Sequence, residues 1–253
     1  MRRTVAKRRR LSRVSDQTTA TSRRDRLRTQ TSAEIKAIAL KLMAAGGPDA
    51  ISLRAIAREM GMTAGAIYSY FATRDDLITA LIGDVYTTAV VAAEAARDAV
   101  PESDPGGRIM AWAQATRAWA LASPEGFRLI YGDPVPGYRA PADGPAKEAE
   151  LRACTGLIGL VAAAWPAARD RQPDGREYRW ADFDPSLAGH VQKDFPDLPP
   201  AALALTLRVW GRMHGLMALE IYGHLRTLMR DPASVYRDEM RDLIASLGLV
   251  SPS

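Results

Sequence analysis

The sequence predicts an all-α protein, on three observations. From residue 31 onward apolar side chains recur at helical spacing; breaks rich in Gly and Pro cut the chain into helix-length pieces; and no stretch alternates apolar and polar residues as a half-buried strand does. With 253 residues, 47% of them hydrophobic, the chain can bury a large core in one large or two modest domains.

The elements follow in order. Ile35, Ile38, Ala39 and Leu42 fall at i, i+3, i+4 and i+7, one apolar stripe, and Gly46-Gly47-Pro48 ends that helix. A short helix is expected over Leu53–Met60 and a second over residues 63–71. Thr73-Arg74-Asp75-Asp76 has the S/T-x-x-D form of a capping box, so Thr73 opens the next helix, which runs to about Val100 before Pro101. Further helices are expected at about 107–121, 124–131, 143–167, 199–226 and 233–247, separated by Pro-bearing breaks. Residues 168–198 read as a long polar connection with one short helix near Leu187–Lys193.

Charge is unevenly placed. Residues 1–30 carry eleven Arg or Lys against Asp16 and Asp25, a local net of +9, whereas the rest of the chain sums to −4. A segment so polar and Arg-rich cannot bury enough apolar surface to fold alone, and it reads as a disordered basic arm suited to nucleic acid. No apolar stretch follows it as in a secretory signal, and no uninterrupted apolar run approaches the ~20 residues of a spanning helix. One cysteine, Cys154, excludes an internal disulfide and makes a reducing cytoplasm the default location. A membrane-surface role for the arm lacks the apolar helix face such binding needs.

The segment Gly61-Met62-Thr63-Ala64-Gly65-Ala66-Ile67-Tyr68-Ser69-Tyr70-Phe71 poses the functional question, because it is bare of side chains at one end and aromatic at the other. Leu53, Ile56, Ala57, Met60, Gly61, Met62 and Ile67 occupy the places where a helix-turn-helix needs particular side chains. Two helices crossing steeply demand a small residue at Ala57, and the tight turn favours Gly61 in a left-handed conformation. Thr63 suits an N-cap. At 100° per residue Ile67 and Phe71 then face inward while Gly65 and Ser69 face out, flanked by Ala66 and Tyr68. Such a face suits close approach to DNA. Ala64 or Ala66 would touch a thymine methyl, Thr63 a base or phosphate, and Tyr68 a phosphate oxygen. Tyr70 fits phosphate contact and packing on Phe71 equally well.

These residues resemble the DNA-binding domain of TetR/AcrR-type regulators over about Thr31–Tyr86. The likeness lies in Ile51-Ser52-Leu53-Arg54-Ala55-Ile56-Ala57, Gly61-Met62-Thr63, Ala66–Phe71 and Thr73-Arg74-Asp75-Asp76-Leu77. It implies a homodimer that places two recognition helices in successive major grooves of a double-stranded operator. It also implies phosphate contacts from Ser52, Tyr68, Tyr70 and Arg74. Together with the outer helix face, the expected DNA-facing set further includes Arg54, Thr63, Ala64, Gly65, Ala66 and Ser69. Arg74 stands where Lys is usual. The expected organisation is an arm at 1–30, a three-helix DNA-binding domain with helix-turn-helix at 31–76, and a helical ligand-binding and dimerisation domain at 77–250.

In the larger part, residues 201–226 are apolar around most of the helix circumference, which argues burial on several sides. Gly211 and Gly215 would admit another helix, and the resemblance implies a dimer through the last two long helices. Trp210, His214 and Gly215 resemble the Trp-His-Gly signature of one C-terminal subfamily of these regulators. Trp112, Trp119, Phe127, Tyr131, Trp165 and His214 either line a pocket for a small, largely apolar effector or simply pack the core. The three histidines show no metal-ligand spacing, and no phosphate loop or serine nucleophile motif occurs, so neither enzyme chemistry, metal nor cofactor is expected. The resulting expectation is a repressor released from a palindromic operator by its effector. The competing ones are an activator or chromosome binder without an effector, and a helical enzyme or carrier that kept the motif by descent.

Overall fold

A computed structural model describes residues 23–172 and 177–250. Ten α-helices account for most of them: α1 Arg23–Gly46, α2 Leu53–Glu59, α3 Ala64–Tyr68, α4 Arg74–Asp98, α5 Pro105–Ala122, α6 Pro124–Tyr131, α7 Pro145–Ala168, α8 Pro185–Asp194, α9 Pro200–Ile221 and α10 Pro232–Ser246. Three short 3-10 turns link them, and the described residues contain no strand.

The boundaries follow from local chemistry. The capping box at the start of α4 is complete: Asp76 N–H donates to Thr73 Oγ1 and Thr73 N–H to the Asp76 carboxylate, each at 3.0 Å. Six of the ten helices begin on a proline, whose missing N–H costs nothing in the first turn. The helix expected to reach residue 226 ends at Ile221 instead. Gly223 turns into the left-handed region at φ 83°, and the His224 N–H bonds back to the Leu219 carbonyl at 2.9 Å, closing the helix end.

The basic arm expected over 1–30 is shorter than that among the described residues. Helix α1 starts at Arg23, eight residues before the expected boundary. Residues 23–34 hold no Gly or Pro and are mostly Arg, Gln, Ala, Thr and Glu, so nothing stops α1 from extending backward. A Gln30–Glu34 hydrogen bond of 3.0 Å at i, i+4 supports it, and Arg28 is anchored to the end of α3. Residues 1–22 of the expected arm lie outside the described residues.

Two main cores form. One joins Ile35, Ile56 and Ile67 of the N-terminal helices, and Ile51 just before α2, to Leu77, Ile78 and Leu81 of α4. It does not close at residue 76, because Val85, Leu129 of α6 and Val135 of the following loop also belong to it. The other gathers the second half of α4 with α5, α7, α9 and α10 around Ile109, Phe127, Val161, Val209 and Met240. Across it Arg117 forms a bidentate pair with Glu220, at 2.8 and 2.6 Å, and lies over the Tyr236 ring. The Tyr236 hydroxyl donates to the Ala113 carbonyl at 3.2 Å, so α5, α9 and α10 are tied polar as well as apolar. By length and composition α4 and α7 are apolar enough to cross a bilayer, with a mean hydropathy of 1.4, but they spend apolar residues on each other and on α5 and α9.

Candidate nucleic-acid interface and effector region

The helix-turn-helix is built from α2 and α3. Leu53, Ile56 and Ala57 turn inward from α2, and Ile67 and Phe71 meet them from the far side. Between them Gly61 sits at φ 65°, the left-handed conformation that the turn requires and that a Cβ would disfavour. The Met62 N–H reaches the Ala57 carbonyl at 2.8 Å, which seals the turn. Thr63 caps α3, its Oγ1 accepting from the Ala66 N–H at 3.2 Å.

This arrangement leaves one continuous outward face. Arg54, Thr63, Ala64, Gly65, Tyr68 and Ser69 are exposed, and Ser52 and Ala66 are half-buried beside them. A Cβ placed on Gly65 would meet nothing within 4 Å, so the face is open at its centre. The Ser52 side chain makes no capping bond on α2. Ser69 differs, because its hydroxyl donates to the Ala66 carbonyl at 2.7 Å. Tyr68 is 45% exposed, whereas Tyr70 packs on the core with the Arg28 guanidinium 5.0 Å from its ring centre. Arg28 also donates to the Ser69 carbonyl at 2.8 Å, bracing the end of α3. That brace was hidden by the expected arm boundary, and only the unbroken helical composition of residues 23–34 could have revealed it.

Arg74 departs from the phosphate-contact expectation. Its guanidinium is half-buried and turned to three main-chain carbonyls: Ile51 at 2.9 Å, Pro48 at 3.1 Å and Pro136 at 3.1 Å. The physical reason is local. Arg74 opens α4 directly beneath the entry to α2, so its long side chain finds backbone acceptors before it reaches the outer face.

Of the six aromatic and histidine residues expected to line a pocket, the structure brings three together. His214 stacks on Phe127 with centroids 5.0 Å apart and meets Tyr131 edge-on at 4.7 Å. Trp210, one turn earlier on α9, joins them at 5.4 Å; the i, i+4 spacing to His214 was the signal for it. Burial pushes the Tyr131 phenol up to about 12 and holds His214 below its ordinary value, and the buried His214 Nδ1 has no hydrogen-bond partner. Trp112, Trp119 and Trp165 lie elsewhere. Trp112 is buried with Arg97 over its ring, Trp119 donates to Thr88 Oγ1 at 3.3 Å, and Trp165 packs toward α8.

A separate groove of about 540 Å³ runs between α4, α7 and α8. Leu151, Gly156 and Phe195 give it an apolar floor, Glu94, Arg97 and Arg152 a charged rim, and His190 also borders it. Glu94 accepts from Arg152 Nε at 3.0 Å across it, and His190 bonds Thr155 Oγ1 at 2.7 Å. Sequence reading missed this groove, since its walls come from three helices far apart in the chain.

The profile of the bacterial regulatory proteins of the tetR family matches residues 35–81, and that of the tetracyclin repressor-like C-terminal domain matches residues 109–243. The chain is 30% identical over 236 residues to the HTH-type transcriptional regulator Rv1816 of Mycobacterium tuberculosis, covering 91% of this chain and 98% of that one. The HTH-type transcriptional regulator Mb1846 of Mycobacterium bovis matches to the same extent. Among solved structures, SCO4313, assigned as a regulatory protein, is 38% identical, with a TM-score of 0.69 over 88% of this chain and 100% of that one. A tetR-family regulatory protein from Rhodococcus RHA1 shares the fold at 18% identity, with a TM-score of 0.56 over 88% and 99% of the two chains. An exposed helix-turn-helix on a helical body, matched by these two profiles and these relatives, makes the chain a member of the TetR family of transcriptional regulators.

Proposed function

We propose that the protein is a homodimeric repressor that binds a palindromic double-stranded DNA operator in the cytoplasm and is released by a small molecule. The observation that carries this reading is the outer face of α2 and α3, where Arg54, Thr63, Gly65 and Tyr68 are exposed and Ser52 half-buried above an apolar underside. In a duplex, Ala64, Gly65 and Ala66 would enter the major groove, while Ser52, Tyr68 and Arg54 would contact phosphates along its edges. Paired half-sites would lie roughly 34–36 Å apart, or a small multiple of that. The seven basic residues among positions 1–22 would add affinity that depends on salt more than on sequence.

Dimerisation is supported by the outer face of α9. Leu207, Gly211, Gly215 and Leu219 form one i, i+4 row, and Trp210, His214, Ala218 and Tyr222 the next. Leu207, Trp210, Leu219 and Tyr222 are 42–46% exposed, and a Cβ on either Gly would meet nothing. Such a face invites a second helix at close range, and α10 lies beside it, held by Arg212–Glu239 at 2.5 Å. For the effector, the groove between α4, α7 and α8 has the size of a small-molecule site. A molecule there would press on Glu94 and Arg97 of α4, the helix whose first turn lies under α2. Release then requires tighter binding to the form that does not fit the operator.

Genomic mapping of bound sites, followed by quantitative duplex binding with each nearby pathway's metabolites, tests the whole reading. Selective palindromic sites and a metabolite that weakens binding are the expected result. Sites without any responsive metabolite would favour an activator or chromosome binder instead.

A further inference from the structure

The three bonds of Arg74 join segments that are otherwise separate. Pro48 belongs to the turn after α1, and Ile51 immediately precedes the Ser52 cap of α2. Pro136 lies in the loop between α6 and α7, in the larger body. That loop does more than pass by. Val135 is 6% exposed within the same core as Ile51 and Leu77, and the Tyr138 hydroxyl lies 3.0 Å from Thr79 Oγ1 on α4. The Tyr138 N–H closes a turn on the Val135 carbonyl at 3.1 Å. Residues 134–138 therefore form a strap across the first turn of α4, with Arg74 between the strap and the entry to α2.

We propose that Arg74 is a positioning residue for DNA binding, a tie that sets α2 against the strap, and is not a phosphate contact. This rests on the reading that the α2–α3 face binds duplex DNA. A planar fork with five N–H groups spans three carbonyls from three segments; the compact ammonium of a lysine does not. That difference gives the arginine a role its usual counterpart could not fill. In its last turn, just before the strap, α6 is held by Arg128, whose Nη2 donates to the Ile221 carbonyl at 3.0 Å. A shift of α6 against α9 is thereby carried to Pro136, and through Arg74 to the carbonyl that precedes Ser52.

Two measurements on the full chain test the proposal, using Arg74→Gln, Arg74→Lys and Tyr138→Phe. Hydrogen exchange without DNA should show the amides of Ile51 and Tyr138 losing protection together in Arg74→Gln. Arg74→Lys should restore little of it. Tyr138→Phe, which keeps every charge, should loosen residues 134–138 and also 48–51. Unchanged protection at 134–138 in Arg74→Gln would overturn the tie. In the second measurement, binding to a duplex of random sequence is followed against salt. Arg74→Gln should weaken it about three- to thirtyfold with the salt slope unchanged. A slope smaller by about one for each chain would make Arg74 a phosphate contact and refute the proposal. If the wild-type protein bound no duplex at all, the DNA reading would fall, and the exchange result alone would decide the tie.

Discussion

The outer faces of α3 and α9 are written in the same few letters. Each has glycine at its centre with open space above it, Gly65 on α3 and Gly211 and Gly215 on α9, and each carries exposed aromatics, Tyr68 on one and Trp210 and Tyr222 on the other. Their surroundings differ. Around α3 and the neighbouring α2 the exposed polar residues include Thr63, Ser69, Arg54 and Arg58, whereas along α9 near Gly215 are Leu207, Leu219, Ala218 and the half-buried His214. Glycine only licenses close approach. The neighbours choose what approaches: hydroxyls and guanidinium groups suit phosphate, and leucines suit another apolar helix.

The comparison breaks most readily on α9. Gly215→Trp fills open space in the single chain but blocks a facing helix, so folding should survive while dimer affinity falls at least about a hundredfold, the scale of a central interface residue. Sedimentation equilibrium reads this directly, and an unchanged dimer would place the interface elsewhere. On α3 the expected effect is smaller. Tyr68→Phe removes one hydroxyl at the rim and should cost about 0.5–1.5 kcal/mol of operator affinity with the dimer intact. Equal affinity in a fluorescence titration would mean that this hydroxyl faces solvent.

Gly65→Ala and Gly61→Ala sharpen the contrast between open space and required geometry. Ala at 65 should raise thermal stability by up to about 1 kcal/mol through helix propensity, and still weaken duplex binding by crowding the groove. Ala at 61, held at φ 65°, should instead lower stability by about 1 kcal/mol. Matching melting temperatures for the two variants would contradict this assignment. The smallest effect belongs to His214. Burial depresses its protonation in the folded state, so the unfolded chain binds the extra proton more readily. Its contribution is therefore complete above about pH 6.5 and is lost as pH falls toward the depressed folded value. His214→Phe should flatten that part of the stability profile between pH 7 and 5, and calorimetry would detect a profile that failed to change.

Most helix ends were legible because they depend on near neighbours. Thr73 with Asp76, Thr63 with Ala66, and the proline starts are decided within four residues, whatever the rest of the chain does. The inward set Ile56, Ala57, Ile67 and Phe71 was legible for a similar reason, since helical spacing and one tight turn leave few ways to pack. The start of α1 was less so. Charge patterning read residues 23–30 as part of an arm, yet Arg28 is held by the Ser69 carbonyl and the Tyr70 ring, both some forty positions away. The aromatic residues show the same limit: composition grouped six of them, and packing stacked Phe127, Tyr131 and His214 while the three tryptophans joined the same core outside that stack.

By itself the sequence determined the helical class, the helix-turn-helix with its left-handed Gly61, and the family to which those residues point. Helix periodicity, capping and turn geometry act over a few residues, so they can be read without coordinates. Where the long side chains go was decided only by the tertiary structure. An arginine at position 74 can reach any acceptor within its length, and the choice of Pro48, Ile51 and Pro136 exists only once three distant segments converge. The groove between α4, α7 and α8 arises in the same way, as a space bounded by helices that meet only in the folded chain.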